Sequence, residues 1–132
     1  MKGLFLWENV MILKIKGSME IAHQLPHYEG KCRKLHGHRL NYTFNFKGDV
    51  GTDGMVEDFK TLNSFISMIT DKYDHTYLND YFDNPTLEVF AQHLLNEVND
   101  RYAYFKGFGG RGKFVELEIW ETEKYGVVVT YE

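Results

Sequence analysis

The chain has 132 residues, 43% hydrophobic and 16% aromatic, with a formal charge of −4 from 15 basic and 19 acidic side chains. That length and apolar share suit one packed domain, whereas the negative balance and scattered basic residues argue against a nucleic-acid surface, which needs a basic stripe to neutralise phosphates. The lone cysteine, Cys32, excludes an intrachain disulfide and directs the expectation to a reducing compartment, the cytoplasm.

Residues 1–10 carry the apolar run Leu4-Phe5-Leu6-Trp7, too short for a secretory signal core or a membrane span. They read as an N-terminal extension, with Met11 a candidate start, ahead of a single domain over residues 11–132. No membrane partner is expected. From Met11 to Leu25 the odd positions are Met11, Leu13, Ile15, Gly17, Met19, Ile21, His23 and Leu25, against polar residues at most even ones. This period of two predicts a long strand whose inner face ends in His23. From His36 to Phe46 the even positions repeat the pattern, so His36 and His38 share a face with Leu40, Tyr42, Phe44 and Phe46.

Turn residues from Lys47 to Gly54 end the second strand. A helix is then predicted on the stripe Phe59, Leu62, Phe65 or Ile66, Ile69 and Tyr73, with Glu57 and Asp58 at its positive end. A second helix starts near Asn84-Pro85, asparagine capping and proline in the first turn, with the stripe Leu87, Phe90, Leu94 and Val98. The glycines between Ala103 and Lys113 read as a flexible connector to two closing strands, about 114–122 and 125–131. The order ββααββ predicts an α+β domain in which both helices cover one face of a four-stranded antiparallel sheet.

Three histidines on inward faces are the chemical signal. Residues two apart on a strand point the same way, so His36 and His38 can both reach a metal, and an antiparallel neighbour can add His23. A lone inward histidine reads as an ordinary half-buried residue; three together leave too many polar groups without partners for that reading. Three imidazoles without a fourth protein ligand leave one position open, the pattern of catalytic zinc. Cys32 lies in the loop between the two strands, flanked by Lys31, Arg33 and Lys34, cations of the kind that favour a thiolate. Asp74-His75 fits a proton-shuttle pair or simply a polar helix terminus. Strict alternation puts Glu121 on one face with Val115, Leu117 and Ile119, so it either meets a ligand's N–H donors or lies past a bulge or strand end. His27 and His93 continue neither metal-bearing face, and the glycine connector lacks the strand-loop-helix of a phosphate site.

Taken together, Ala22-His23-Gln24-Leu25, Cys32-x-x-x-His36-Gly37-His38, Gly54-Met55-Val56-Glu57-Asp58-Phe59, Asp74-His75 with Leu78-Asn79, Pro85-Thr86-Leu87-Glu88 and Glu121-Thr122 resemble the 6-pyruvoyl-tetrahydropterin synthase family, especially its 6-carboxytetrahydropterin branch in queuosine biosynthesis. The resemblance implies a tunnelling fold assembled as a homohexamer of two trimers, with active sites between subunits. It implies Zn2+ on His23, His36 and His38, Cys32 as general base, Asp74 and His75 as proton relay, and Glu121 with Thr86 holding the pterin. The implied substrate is 7,8-dihydroneopterin triphosphate. The implied products are 6-carboxytetrahydropterin, acetaldehyde and triphosphate, or the pyruvoyl compound in the other branch. A non-catalytic, zinc-stabilised pterin-binding oligomer is the reading from outside enzymology. Val89 departs from the asparagine common in the family, and Met19-Glu20-Ile21 from its usual run before Ala-His. Cys32 itself argues against the branch in which glutamate replaces the cysteine.

Overall fold

The structure is a computed structural model that describes residues 10–107 and 109–131; the expected N-terminal extension lies, apart from Val10, outside the described residues. Strand β1 (Met11–His23) pairs antiparallel with β2 (His36–Gly48) along its whole length, from Met11 opposite Gly48 to His23 opposite His36. Ile15, Met19, Ile21 and His23 are buried on β1, and Leu40, Tyr42, Phe44 and Phe46 on β2, as the period of two demands.

Helix α1 (Phe59–Thr70) follows, with Asp58 as its cap, the carboxylate accepting from the Lys60 N–H at 2.8 Å. Helix α2 (Leu87–Lys106) buries Leu87, Phe90, Leu94 and Val98 on the expected stripe and extends it to Tyr102. Strands β4 (Lys113–Trp120) and β5 (Gly126–Thr130) close the chain as an antiparallel pair, with β4 against β2. One continuous core joins the inner face of the sheet to both helices.

Four expectations need correction. The sheet has five strands and is mixed, because residues Thr76–Tyr77 form a short β3 parallel to β1 at Ile21 and Ala22; the sheet order is β3-β1-β2-β4-β5 and the chain order ββαβαββ. A bulge opposite Asn45/Phe46 leaves Val115 without a β2 partner and shifts the alternation at the start of β4, so that Phe114 replaces Val115 on the inner face beside Leu117 and Ile119. Phe59, placed on the α1 stripe, is exposed at the first helical turn. The cap of α2 is Thr86, whose Oγ1 accepts from the Val89 N–H at 3.1 Å, and Asn84 and Pro85 precede the helix.

The glycine segment is also less free than its composition suggests. Helix α2 runs to Lys106, and Arg111 beyond it is held by Asp53 through both guanidinium NH groups and by Glu57, which accepts from its backbone N–H at 2.7 Å. Tyr102 donates to the Arg111 carbonyl.

Gly17 carries a packing constraint. It lies opposite Tyr42, whose ring occupies the space a Cβ at position 17 would need while its hydroxyl reaches Thr70 at the end of α1. Glycine is what lets this aromatic bridge the sheet to the helix. Gly17→Val is therefore expected to destabilise the fold by about 1–3 kcal/mol through overpacking, read as a lower urea midpoint; an unchanged midpoint would refute the constraint.

Candidate metal centre and adjoining cleft

The β1–β2 register brings the three histidines together. His23 is the last residue of β1 and His36 the first of β2, directly opposite one another, and His38 faces Ile21 one step inward. The ring centroids are 4.5, 5.1 and 4.9 Å apart. One ligand nitrogen from each ring lies within 4.8 Å of the others, and among the described residues no other group of three or more histidine, cysteine or carboxylate donors gathers in this way.

The hydrogen bonds decide which nitrogens face inward. His23 Nδ1 lies 2.8 Å from the Pro85 carbonyl and His36 Nδ1 2.7 Å from the Lys34 carbonyl. A carbonyl can only accept, so each Nδ1 carries the proton and each neutral ring keeps a bare lone pair on Nε2. The Nε2 atoms of all three histidines are buried and lack any hydrogen-bond partner. Burial holds His23 and His38 below the ordinary imidazole range, against the opposing pull of the Pro85 carbonyl on the first and Glu121 on the second. Neutral rings with converging lone pairs are the donor set that a borderline cation such as zinc takes. The residues thus fit a metal held by His23, His36 and His38.

Glu121 stands just past β4, its N–H bonded to the Tyr125 carbonyl at 2.9 Å. Its Oε1 lies 3.7 Å from His38 Nε2 with the side chain a quarter exposed, so the carboxylate borders the histidines and still faces solvent. Thr86 joins it in lining a cleft of about 300 Å³, together with Leu25, Tyr28 and Tyr125. A larger concavity of about 680 Å³ lies on the opposite face of the sheet among Lys14, Lys16, Thr43 and Trp120. That site has size without a donor cluster, and the smaller cleft beside the imidazoles is the chemically equipped one.

The other predicted residues stand apart from this cluster within one chain. Cys32 occupies a 3₁₀ turn, Lys31–Arg33, between β1 and β2, partly exposed, its carbonyl accepting from the Leu25 N–H at 3.1 Å. Asp74 and His75 do face each other, Oδ1 to Nδ1 at 3.1 Å, with the His75 ring 76% exposed. Asp74 also accepts from the Glu20 N–H at 2.8 Å, the main reason its carboxyl sits below the usual carboxylate range. His75 has φ of 61°, the only non-glycine positive φ among the described residues. The Pro85 and Lys34 carbonyls escaped the sequence reading, as did the role of Asn79, which bonds both backbone groups of Gln24. The paired motifs Pro85-Thr86 and Leu78-Asn79 were the available signal.

Comparison with known proteins follows the same line. A 6-carboxy-5,6,7,8-tetrahydropterin synthase of Synechocystis is 38% identical over 91 residues, 63% of this chain and 70% of that protein. One of Bacillus subtilis is 30% identical over 111 residues, 76% and 72% of the respective chains. The fold is similar to that of Caenorhabditis elegans 6-pyruvoyl tetrahydropterin synthase, with a TM-score of 0.77 at 22% identity, covering 94% of this chain and 97% of the other. The family model for 6-pyruvoyl tetrahydropterin synthase matches residues 12–132, and the chain belongs to that family.

Proposed function

We propose that the protein is a zinc-dependent 6-carboxy-5,6,7,8-tetrahydropterin synthase, converting 7,8-dihydroneopterin triphosphate to 6-carboxytetrahydropterin, acetaldehyde and triphosphate on a route to 7-deazapurines. The observation that carries the reading is the set of three buried, unpartnered Nε2 atoms beside a carboxylate-lined cleft. The names of the Synechocystis and Bacillus relatives favour the carboxy over the pyruvoyl product.

Zinc on His23, His36 and His38 would supply Lewis acidity to the substrate's side-chain oxygens, making the neighbouring C–H easier to deprotonate. Glu121 receives adjacent N–H donors of the pterin ring, a charge-assisted pairing that fixes the ring's orientation, and Thr86 lines the same cleft. Cys32 takes the proton from the side-chain carbon, and Asp74 orients His75 to carry it onward.

An exposed His75 and a Cys32 outside the cluster call for completion by another subunit. Among the described residues two strand edges lack a full neighbour, which supports self-association: β3 covers only Ile21 and Ala22 of β1, and β5 ends the sheet on the other side. Unpaired edges of this kind are templates for a further copy, and a homohexamer of two trimers is the assembly proposed. No described helix is long and apolar enough to cross a membrane; the cytoplasmic setting proposed rests on the lone cysteine, Cys32, which suits a reducing compartment.

Zinc-loaded protein given the pterin triphosphate is expected to release acetaldehyde and the carboxy product, identified by mass spectrometry. A pyruvoyl product without acetaldehyde would move the chain to the other branch, and absence of turnover would leave a pterin-binding oligomer. Cys32→Ala should lower kcat by about a hundredfold or more while zinc content stays at the wild-type level; unchanged kcat would remove Cys32 from the chemistry.

Metal binding has a signature of its own. Zinc is expected to raise the melting temperature of metal-free protein, since it binds only the folded arrangement, and His36→Ala should abolish the rise. Protons and metal compete for the same nitrogens, and burial keeps His23 and His38 neutral to lower pH than free imidazole. The rise in the zinc dissociation constant on acidification should therefore begin at lower pH than at a site of free imidazoles. A steep rise already above neutrality would contradict the neutral-imidazole site.

A further inference from the structure

Strand β3 pairs with β1 for two residues, Ile21 with Thr76 and Ala22 with Tyr77, and then the chain turns away into a 3₁₀ turn at Leu78–Asp80. The side chain of Asn79 continues the ladder where the backbone stops. Its Oδ1 accepts from the Gln24 N–H at 2.9 Å and its Nδ2 donates to the Gln24 carbonyl at 2.9 Å. Gln24 is thereby held at both backbone groups, as a residue inside a strand pair would be. Its side chain is fixed as well, Oε1 accepting from the Tyr77 hydroxyl at 2.5 Å.

What Gln24 connects gives the clamp its consequence. On one side is His23, whose Nδ1 reaches the Pro85 carbonyl ahead of α2. On the other is Leu25, whose N–H is bonded to the Cys32 carbonyl. With Gln24 loose, β1 would be free to fray from its histidine end, and both the His23 ring and the Cys32 turn would lose a fixed reference.

We propose that Asn79 is a positioning residue for the metal centre: its carboxamide clamps Gln24 and so sets where His23 presents Nε2 and where the Cys32 turn closes. The clamp needs one donor and one acceptor at fixed separation, which explains an amide and not a carboxylate at this position. The proposal rests on the three-histidine metal reading and not on the pterin chemistry. A wild-type protein that holds zinc but does not turn over the pterin would sink the function above and leave this inference standing.

The test is Asn79→Asp and Asn79→Ala in the full chain, with zinc affinity measured by competition against a chelator and Gln24 amide exchange by NMR. Asn79→Asp keeps the acceptor but sets a carboxylate against the Gln24 carbonyl, so its zinc dissociation constant is expected to rise about tenfold or more, the scale for supporting contacts of metal ligands. Gln24 exchange should accelerate in both variants. A purely structural role would lower the melting temperature and leave the zinc affinity of the folded fraction unchanged, and affinities within about twofold of wild type in a folded variant would overturn the proposal. The wild type supplies a check that needs no variant. Its Gln24 amide must exchange far more slowly than an exposed loop amide, and an unprotected Gln24 would also overturn the clamp. A wild type that binds no zinc would overturn both this inference and the metal reading beneath it.

Discussion

The molecule depends on the register between β1 and β2. Thirteen residues of each strand pair without a break, from Met11 opposite Gly48 to His23 opposite His36. Side chains on a strand alternate faces, so a slip of one residue would turn the inner set of either strand toward solvent. The same slip would carry the histidines out of convergence. Core packing and site assembly therefore select one register together: Ile15, Met19, Leu40 and Phe44 hold it by burial, and the histidines occupy the end of the ladder where the apolar face gives way to the cleft.

That arrangement sets a balance between stability and function. Each buried nitrogen without a partner costs roughly 1–3 kcal/mol relative to a satisfied one, and three of them meet at one point. Burial keeps His23 and His38 neutral, which limits charge repulsion but leaves the lone pairs unmatched. The surrounding framework is heavily bonded by comparison. Pro85 and Lys34 fix the rings of His23 and His36, and Asn79 and Tyr77 fix Gln24, the residue that follows His23. A further network ties Tyr73 and Lys72 to Glu97 of α2, at 2.8 and 2.6 Å, immediately ahead of Asp74 and His75. His75 itself adopts the left-handed conformation, a cost of roughly 1–2 kcal/mol for a residue with a Cβ.

Much of this was legible in the sequence because alternation is a strong signal when one face is buried. Thirteen-residue strands gave the inner faces and put His23, His36 and His38 on them, and the 3.6-residue period gave the buried stripe of α2. The misses have local causes. Two residues, Thr76–Tyr77, are too few to show a period, so the parallel strand was invisible. The bulge at Asn45/Phe46 exchanges Phe114 for Val115 without any composition signal, because both are apolar. Asn84 and Thr86 are both good caps, so residue type alone does not choose between them; Thr86 caps the helix, and the Pro85 carbonyl ahead of it meets His23 Nδ1. Carbonyl acceptors such as Pro85 and Lys34 carry no residue signature at all. Glu121 was anomalous by alternation; the strand ends at Trp120, one residue earlier, and the carboxylate lies beside His38.

X-ray absorption at the zinc edge on the zinc-loaded protein tests the three-histidine site directly. Three imidazole nitrogens are expected at about 2.0–2.1 Å with one further light donor in the open position. A sulfur shell near about 2.3 Å, placing Cys32 on the metal, or fewer than three imidazoles, would contradict it.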